Sequence, residues 1–324
     1  MTEVRHETID AVLDLLTASF GDDIRHWERL GGGAFSNAYG FEANGQPYVI
    51  RLNAAPHAAE SFSKDAFAAR HFASTGLPIP EIIQIGSLGD GQYAVSERVP
   101  GQTLFTHTPA ERHATLPSFL AALTAIGQVN TSATTGYGDW GADGQGKFAS
   151  WQDYLSEVIE NHEDGFYANW HALFDDTFLE RDTYDAVYRR MLELLPYCPN
   201  ERSLIHNDLW FENILADNGV ITGVIDWANA LYGDPLYDVA RLVWGSAWPG
   251  WWYEDGAAVL RERFSHLPNY AERITCYACH LGLDDMRYYA KMARRAEYDF
   301  FQPRLLAIAA GAFIDSLKTD LHQL

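Results

Sequence analysis

Hydrophobic and polar positions follow two rhythms along this chain, and the rhythm changes several times. Ile9 to Phe20 (IDAVLDLLTASF) places apolar residues at helical spacing and stops at Gly21. It predicts a leading helix over about 6–20. From residue 24 the period drops to two. HWERLGGGAFSNAYGFEANGQPYVIRLN reads as strand, glycine turn, strand, Asn44-Gly45 hairpin turn and strand. Helical spacing returns over 57–75, before Gly76-Leu77-Pro78. EIIQIG and QYAVSERV, joined through Asp90-Gly91, read as another hairpin. Residues 24–99 thus predict a small, mostly antiparallel sheet with one helix inserted after its third strand.

Pro100-Gly101 closes that block. Beyond it the pattern predicts helices at 109–128, 151–161, 183–195, 235–246 and in several segments after 255. A strand-rich stretch around 203–227 interrupts them. Residues 130–150 are glycine-rich and polar and read as one long loop, a kind often used for function. The expected fold is α+β and bilobal. Residues 1–99 form the β-rich first lobe, 96–101 a hinge, and 102–324 a larger, mainly helical second lobe. A chain of 324 residues also exceeds what one core usually serves.

Apolar residues make up 47% of the chain and aromatics 14%, ample for a packed interior. No apolar run is long enough to span a bilayer, and MTEVRHETIDAVLDLL does not read as a secretory signal. Cys198, Cys276 and Cys279 are too few for a disulfide framework, so a reducing cytoplasm is the expected setting. The chain is expected to act as a monomer, without a membrane partner. Its 44 acidic and 23 basic residues give a net charge of −21, which argues against a nucleic-acid partner. That charge suits a cationic small molecule, but it equally describes an ordinary acidic surface.

Chemistry is concentrated in LIHNDLWFENIL (204–215), where an apolar stretch stops for His206, Asp208, Glu212 and Asn213. Buried polar groups are costly unless paired or used. The spacing His206-x-Asp208-x4-Asn213 is followed by ITGVIDWANA, in which Asp226 closes an apolar strand. A hairpin turning at Asp217-Asn218-Gly219 brings Asp226 back beside Asn213. Phosphoryl transfer needs two carboxylates and an amide of this kind. One carboxylate orients the attacking hydroxyl and accepts its proton, while the other acid and the amide oxygen hold magnesium on the nucleotide phosphates. His206 is expected to scaffold the loop through backbone groups around Asp226. The bland alternative is an acidic hairpin without a task, against which the strand-final Asp226 and the upstream glycine turn both weigh.

On these residues the chain resembles the aminoglycoside phosphotransferase family, with its protein-kinase-like fold, and most of all the hygromycin B phosphotransferases. The likeness rests on YVIRLN (48–53), RHFASTGLPIPEIIQIG (70–86), HNDLWFENILADNGVITGVIDWANALYGDPLYDVA (206–240) and GLD (282–284). It covers residues 28 to 245 well and the C-terminal quarter faintly. The resemblance implies Asp208 as catalytic aspartate, Asn213 and Asp226 as magnesium ligands, and ATP or GTP as donor. Asn207 stands where the family has glycine. LGGGAFSNAYGF (30–41) lies where kinases have a nucleotide loop, with Gly33 and Ser36 facing phosphate and the third glycine missing. Arg51 replaces the usual strand lysine, and Asp65 falls at the position of the family's helix glutamate, one methylene shorter. Ser96, Glu97, Arg98 and Val99 form the expected hinge, its backbone groups reading the purine edge.

Two motifs read as decoys. CYACH (276–280) matches a haem-attachment pattern but lies within a predicted helix, where Cys276 and Cys279 are expected to be core. Gly141-x4-Gly146-Lys147 resembles a phosphate loop, but Phe148 follows where Ser or Thr is needed, so it reads as plain loop. Trp244, Trp248, Trp251, Trp252 and Tyr253 form an aromatic cluster. Because the family's acceptor lies in this lobe, Trp244, Trp248 and Asp234 are candidate substrate contacts; packing and a helix cap are the alternatives.

The sequence thus predicts a magnesium-dependent O-phosphotransferase for a cationic aminoglycoside or aminocyclitol, hygromycin B among them. Its rivals are a kinase of the same fold acting on a choline-, homoserine- or sugar-like metabolite, and a binding protein with reduced turnover.

Overall fold

The computed structural model describes residues 9–32, 36–248, 253 and 255–314. The first helix, α1, runs Ile9–Phe20 and is followed by strands β1 (Ile24–Gly32), β2 (Ser36–Ala43) and β3 (Gln46–Asn53). Helix α2 (Ala58–Phe72) comes next, then β4 (Ile82–Leu88) and β5 (Gly91–Glu97). These strands make one antiparallel sheet in the order β1-β2-β3-β5-β4. Asn44 and Gly45 both take positive φ, the two-residue turn that matches strand twist, and Ala43 pairs with Gln46 across it. Val12 and Leu16 of α1 close over Phe41, Ile50 and Val95, forming this region's core.

The chain divides into two compact units: residues 1–125, 141–145 and 211–229 in the first, and 126–140, 146–210 and 230–324 in the second. The expected lobe boundary at 96–101 therefore lies inside the first unit. Pairing explains it, since Gln102–Thr103 adds to the hairpin of Ile214–Asp217 and Val220–Val224. Gly101 makes the approach possible: a Cβ there would sit 2.1 Å from the Ala216 carbonyl oxygen.

The second unit is built on helices Arg181–Leu194, Leu236–Gly245, Tyr270–Lys291 and Arg295–Ala309. Tyr270–Lys291 is its axis; most of its length is buried, including Cys276, Tyr277, Cys279 and His280. The cysteines are thus core residues of a helix interior, as expected, and all three are free. A four-stranded sheet lies in the same unit, in the order Gly146–Phe148, Tyr137–Trp140, Leu231–Gly233, Ser203–Ile205. This corrects the reading of 130–150 as loop. Gly136 and Gly146 lie so close that a Cβ on either would meet the other's backbone near 2.1–2.5 Å, so the glycines serve strand pairing. Lys147 of the false phosphate loop pairs with Asp139 at 2.5 Å. Among the described residues no helix is long and apolar enough to cross a membrane.

Candidate active site

In the first unit, alternation along β3 sends Ile50 into the core and Arg51 to the opposite face. There Arg51 meets α2, forming an ion pair with Asp65 and lying 5.1 Å from the Phe62 ring centroid. The second oxygen of Asp65 accepts the Trp227 amide at 2.7 Å. Asp65 therefore ties the strand to the residue directly after Asp226. Burial works against the charge of Arg51, but Asp65 and Asp226 outweigh it and hold its pKa above the ordinary value.

The hairpin forms as its Asn218-Gly219 turn requires, with both residues at positive φ and Asp217 paired with Val220. Its far end closes where the Ile225 amide donates to the Asn213 carbonyl at 3.0 Å. Asp226, next in the chain, has φ +66°, a conformation uncommon for non-glycine residues though more accessible to Asp and Asn than to most. Among the described residues no group of three or more His, Cys, Asp or Glu could hold a metal. Two oxygen-bearing side chains on a fixed hairpin suit instead an ion that keeps water and phosphate as most of its shell, which is the habit of magnesium.

Ser36 opens β2 opposite Asn53, while Gly33 lies outside the described residues. Ser96 sits in β5 against Val49 and Ile82. The amide of Glu97 donates to Glu81 at 2.9 Å and that of Arg98 to Pro47 at 3.1 Å. Two of the expected purine-reading donors are therefore already bonded to the sheet.

In the second unit the segment carrying Asp208 is held from below by one carboxylate. Asp238, on helix Leu236–Gly245, accepts the His206 amide at 2.9 Å and the Asn207 amide at 2.7 Å, one on each oxygen. Burial pushes its pKa up to about 6, and those two bonds and Arg241 restrain the rise. His206 is fully buried, and its Nδ1 accepts the amide of Asp208 at 3.2 Å. The scaffold role expected of His206 is thus made through the loop's own backbone. Asn207 has φ +64°, which explains why it can replace glycine, since Asn tolerates this conformation better than other side chains. Asp208 remains half-buried.

Beside this loop the second unit holds a cavity of about 240 Å³. Asn207 and Arg241 line it, together with the acids Glu157, Glu160, Asp164 and Asp284. Arg287 is committed within the wall: it bonds Asp284 at 2.7 Å and the Val158 carbonyl at 2.9 Å. His280 accepts or donates at 2.8 Å to the Tyr237 hydroxyl, and burial drives its pKa down to about 3, so it is neutral.

The matches to known proteins follow this geometry. The model of the phosphotransferase enzyme family matches residues 26–273. The chain belongs to that family. Hygromycin-B 4-O-kinase of Escherichia coli is 32% identical over 284 residues, 86% of this chain and 76% of that protein. A thermostable mutant of aminoglycoside phosphotransferase APH(4)-Ia, in ternary complex with ADP and hygromycin B, superposes with a TM-score of 0.82 at 30% identity. That match covers 93% of this chain and 99% of the other. A putative fructosamine-3-kinase from Haemophilus somnus gives a TM-score of 0.62 at 18% identity, over 93% and 97% of the two chains, a likeness of fold alone. The phosphotransferase assignment and the kinase-like fold agree with the sequence expectation.

For this phosphotransferase, the three expected acceptor contacts are placed elsewhere. Asp234 is fully buried, gripped by both Nε and Nη2 of Arg273, by the Tyr277 hydroxyl and by the Leu236 amide. It fastens helix to helix, and the alternative of a helix cap is the one its geometry supports. Trp244 is buried against Phe301 and donates to Asp285 at 2.8 Å. Trp248 packs on Phe300 and Phe301. None of the three lines the cavity. Asp238 and Arg241 were not anticipated. Their signal is two charges three residues apart in the otherwise apolar LYDVARLVW, a sign that each has a partner.

Proposed function

We propose that this phosphotransferase moves the terminal phosphoryl group of ATP or GTP onto a hydroxyl of an aminoglycoside or aminocyclitol antibiotic, with hygromycin B the first acceptor to test. The observation that carries this is the half-buried Asp208, on a loop clamped by Asp238, beside a cavity edged with carboxylates. Asp208 orients the acceptor hydroxyl and takes its proton as the oxygen bonds to the γ-phosphorus and the bond to the β–γ bridging oxygen breaks. The nucleoside diphosphate carries away that electron pair. Asn213 and Asp226 are the residues that would hold magnesium, which when bound neutralises charge on the phosphates. Arg51, fixed by Asp65, would bind the same phosphates. A net charge of −21 draws a polycation toward the protein, and Glu157, Glu160 and Asp164 supply local carboxylates for its amines. At about 240 Å³ the cavity suits part of such a molecule, since whole drug-sized ligands occupy roughly 300–1,000 Å³.

The test is purified protein with magnesium and each nucleotide, offered hygromycin B, choline, homoserine and a ketosamine in parallel. Hygromycin B gaining the mass of one phosphoryl group is the expected result. Asp208→Asn should lower that rate by about 10²–10⁴-fold while nucleotide still binds. Turnover of one of the metabolites with hygromycin B untouched would overturn the acceptor, and an active, folded Asp208→Asn would overturn the role of Asp208.

A further inference from the structure

Arg241 lines the cavity, and the proposed chemistry gives it no task. It projects from the same helix as Asp238, one turn on, so the helix that clamps the catalytic loop also presents a guanidinium to the cavity. That guanidinium is loosely held. Its Nη1 is 3.7 Å from Asp285 Oδ1, beyond hydrogen-bond reach, and the other Asp285 oxygen is taken by Trp244. Its Nε is buried and has no partner among the described residues. The ring of Trp210 lies 6.0 Å from its Cζ, too far for more than a weak attraction. Burial works against its charge, but Asp285, Tyr237, Asp208 and Asp284 outweigh it and hold its pKa above the ordinary value, so it is a permanent cation. Buried donors without acceptors are rare in native proteins and call for an explanation. Arg287, in the same wall, also leaves its Nε without a partner among the described residues, but its Nη groups are both bonded, to Val158 and Asp284; at Arg241 the Nη1 contact too is out of reach.

We propose that Arg241 is a specificity residue: it donates hydrogen bonds to an oxygen of the acceptor beside the reacting hydroxyl and excludes an ammonium group from that place. This rests on the reading of the cavity as the acceptor site. The cavity is then polarised. Amines of the acceptor go to Glu157, Glu160 and Asp164, which are half-buried or exposed, and the hydroxyl-bearing ring goes to Arg241 and the catalytic loop. An arginine suits this task because its donors are fixed in a plane and it repels only cations.

The experiment compares wild type with Arg241→Gln and Arg241→Lys on hygromycin B and on kanamycin A, which is richer in amino groups. For Arg241→Gln, KM for hygromycin B should rise about tenfold or more, as loss of a charged hydrogen bond implies, with kcat changing less. The kcat/KM ratio of kanamycin A over hygromycin B should rise as well. Arg241→Lys keeps the charge and loses the planar donors, so KM should rise while that ratio stays at the wild-type value. A change in packing alone would not separate the two variants. Unchanged KM and an unchanged ratio in Arg241→Gln would overturn the proposal. If that variant folds poorly, judged by its KM for nucleotide, Arg241→Lys decides: a wild-type KM for hygromycin B refutes the hydrogen bond. A wild type inert toward both antibiotics removes the acceptor reading and this one together, whereas an active wild type with indifferent variants removes this one alone.

Discussion

Two arginines, one in each unit, show opposite uses of a buried charge. Arg51 is committed. It pairs with Asp65, whose other oxygen holds the Trp227 amide, so strand, helix and the segment after Asp226 are fixed together. Arg241 is loosely paired at 3.7 Å and keeps a donor without a partner among the described residues. A fixed cation suits a polyphosphate, which arrives with its own charge and needs a rigid seat. A spare donor suits a ligand of hydroxyls, whose bonds must be supplied on arrival. The first arrangement secures structure before any ligand binds; the second leaves the interaction for the ligand to complete.

Stability gives the largest expected contrast. Arg51→Met strands the Asp65 carboxylate, only 5% exposed, and should cost roughly 3–5 kcal/mol by urea unfolding. Arg241→Met leaves Asp285, 19% exposed and still hydrogen-bonded by Trp244, so it should cost less, under about 3 kcal/mol. The double variant Arg51→Met with Asp65→Leu should recover only part of the first loss, because it also leaves the buried Trp227 amide without its acceptor. Equal costs for the two single variants would break the comparison, because they would mean that Arg241 is as firmly held as Arg51.

The next contrast is with pH. Asp238 is 2% exposed, and its pKa of about 6 lies above the ordinary 3.8. A raised folded pKa means that the fold prefers the protonated acid. Its contribution to stability is fully present below about pH 4 and is lost as pH rises through 6. A shift of about two units is worth on the order of 3 kcal/mol. Activity runs the other way, because the ionised carboxylate offers both oxygens to the His206 and Asn207 amides and the protonated acid does not. Asp238→Asn should therefore flatten the fall in melting temperature between pH 4 and 6. At pH 7 it should also lower kcat about tenfold or more, since its amide group faces one of those N–H donors. A variant with the wild-type pH slope would show that another group titrates there.

How much of this was legible depends on the range of each interaction. The sheet of the first unit announced itself through alternation and the Asn44-Gly45 turn, both local. The hairpin that leads from Asn213 to Asp226 was legible because it carries its own turn residues. Asp238 was not, since its partners His206 and Asn207 lie about thirty residues away and its neighbours look like any helix. Asp234 and Trp244 misled for the same reason. An acid and an indole carry no mark of whether they face a ligand or, as here, Arg273 and Phe301. The glycines of 130–150 read as loop because the close backbone approach they permit is a property of the partner strand.

The smallest expected effect sharpens the comparison at the backbone. Both units place a non-glycine residue in the left-handed region, Asp226 in the first and Asn207 in the second. If Asp226 is kept for its carboxylate, its strain is accepted for the sake of the side chain, and Asp226→Gly should relieve strain yet abolish transfer. If Asn207 is kept because only the backbone must turn, Asn207→Gly should leave stability within about 1 kcal/mol, as lower strain and a floppier unfolded chain offset each other. Asn207→Ala keeps the strain without the tolerance of asparagine and should cost about 1–2 kcal/mol. Melting curves and initial rates on the three variants read this directly. Loss of activity in Asn207→Gly would show that the Asn207 side chain, which lines the cavity, contacts the acceptor. The second unit would then hold a strained side chain for the same reason as the first.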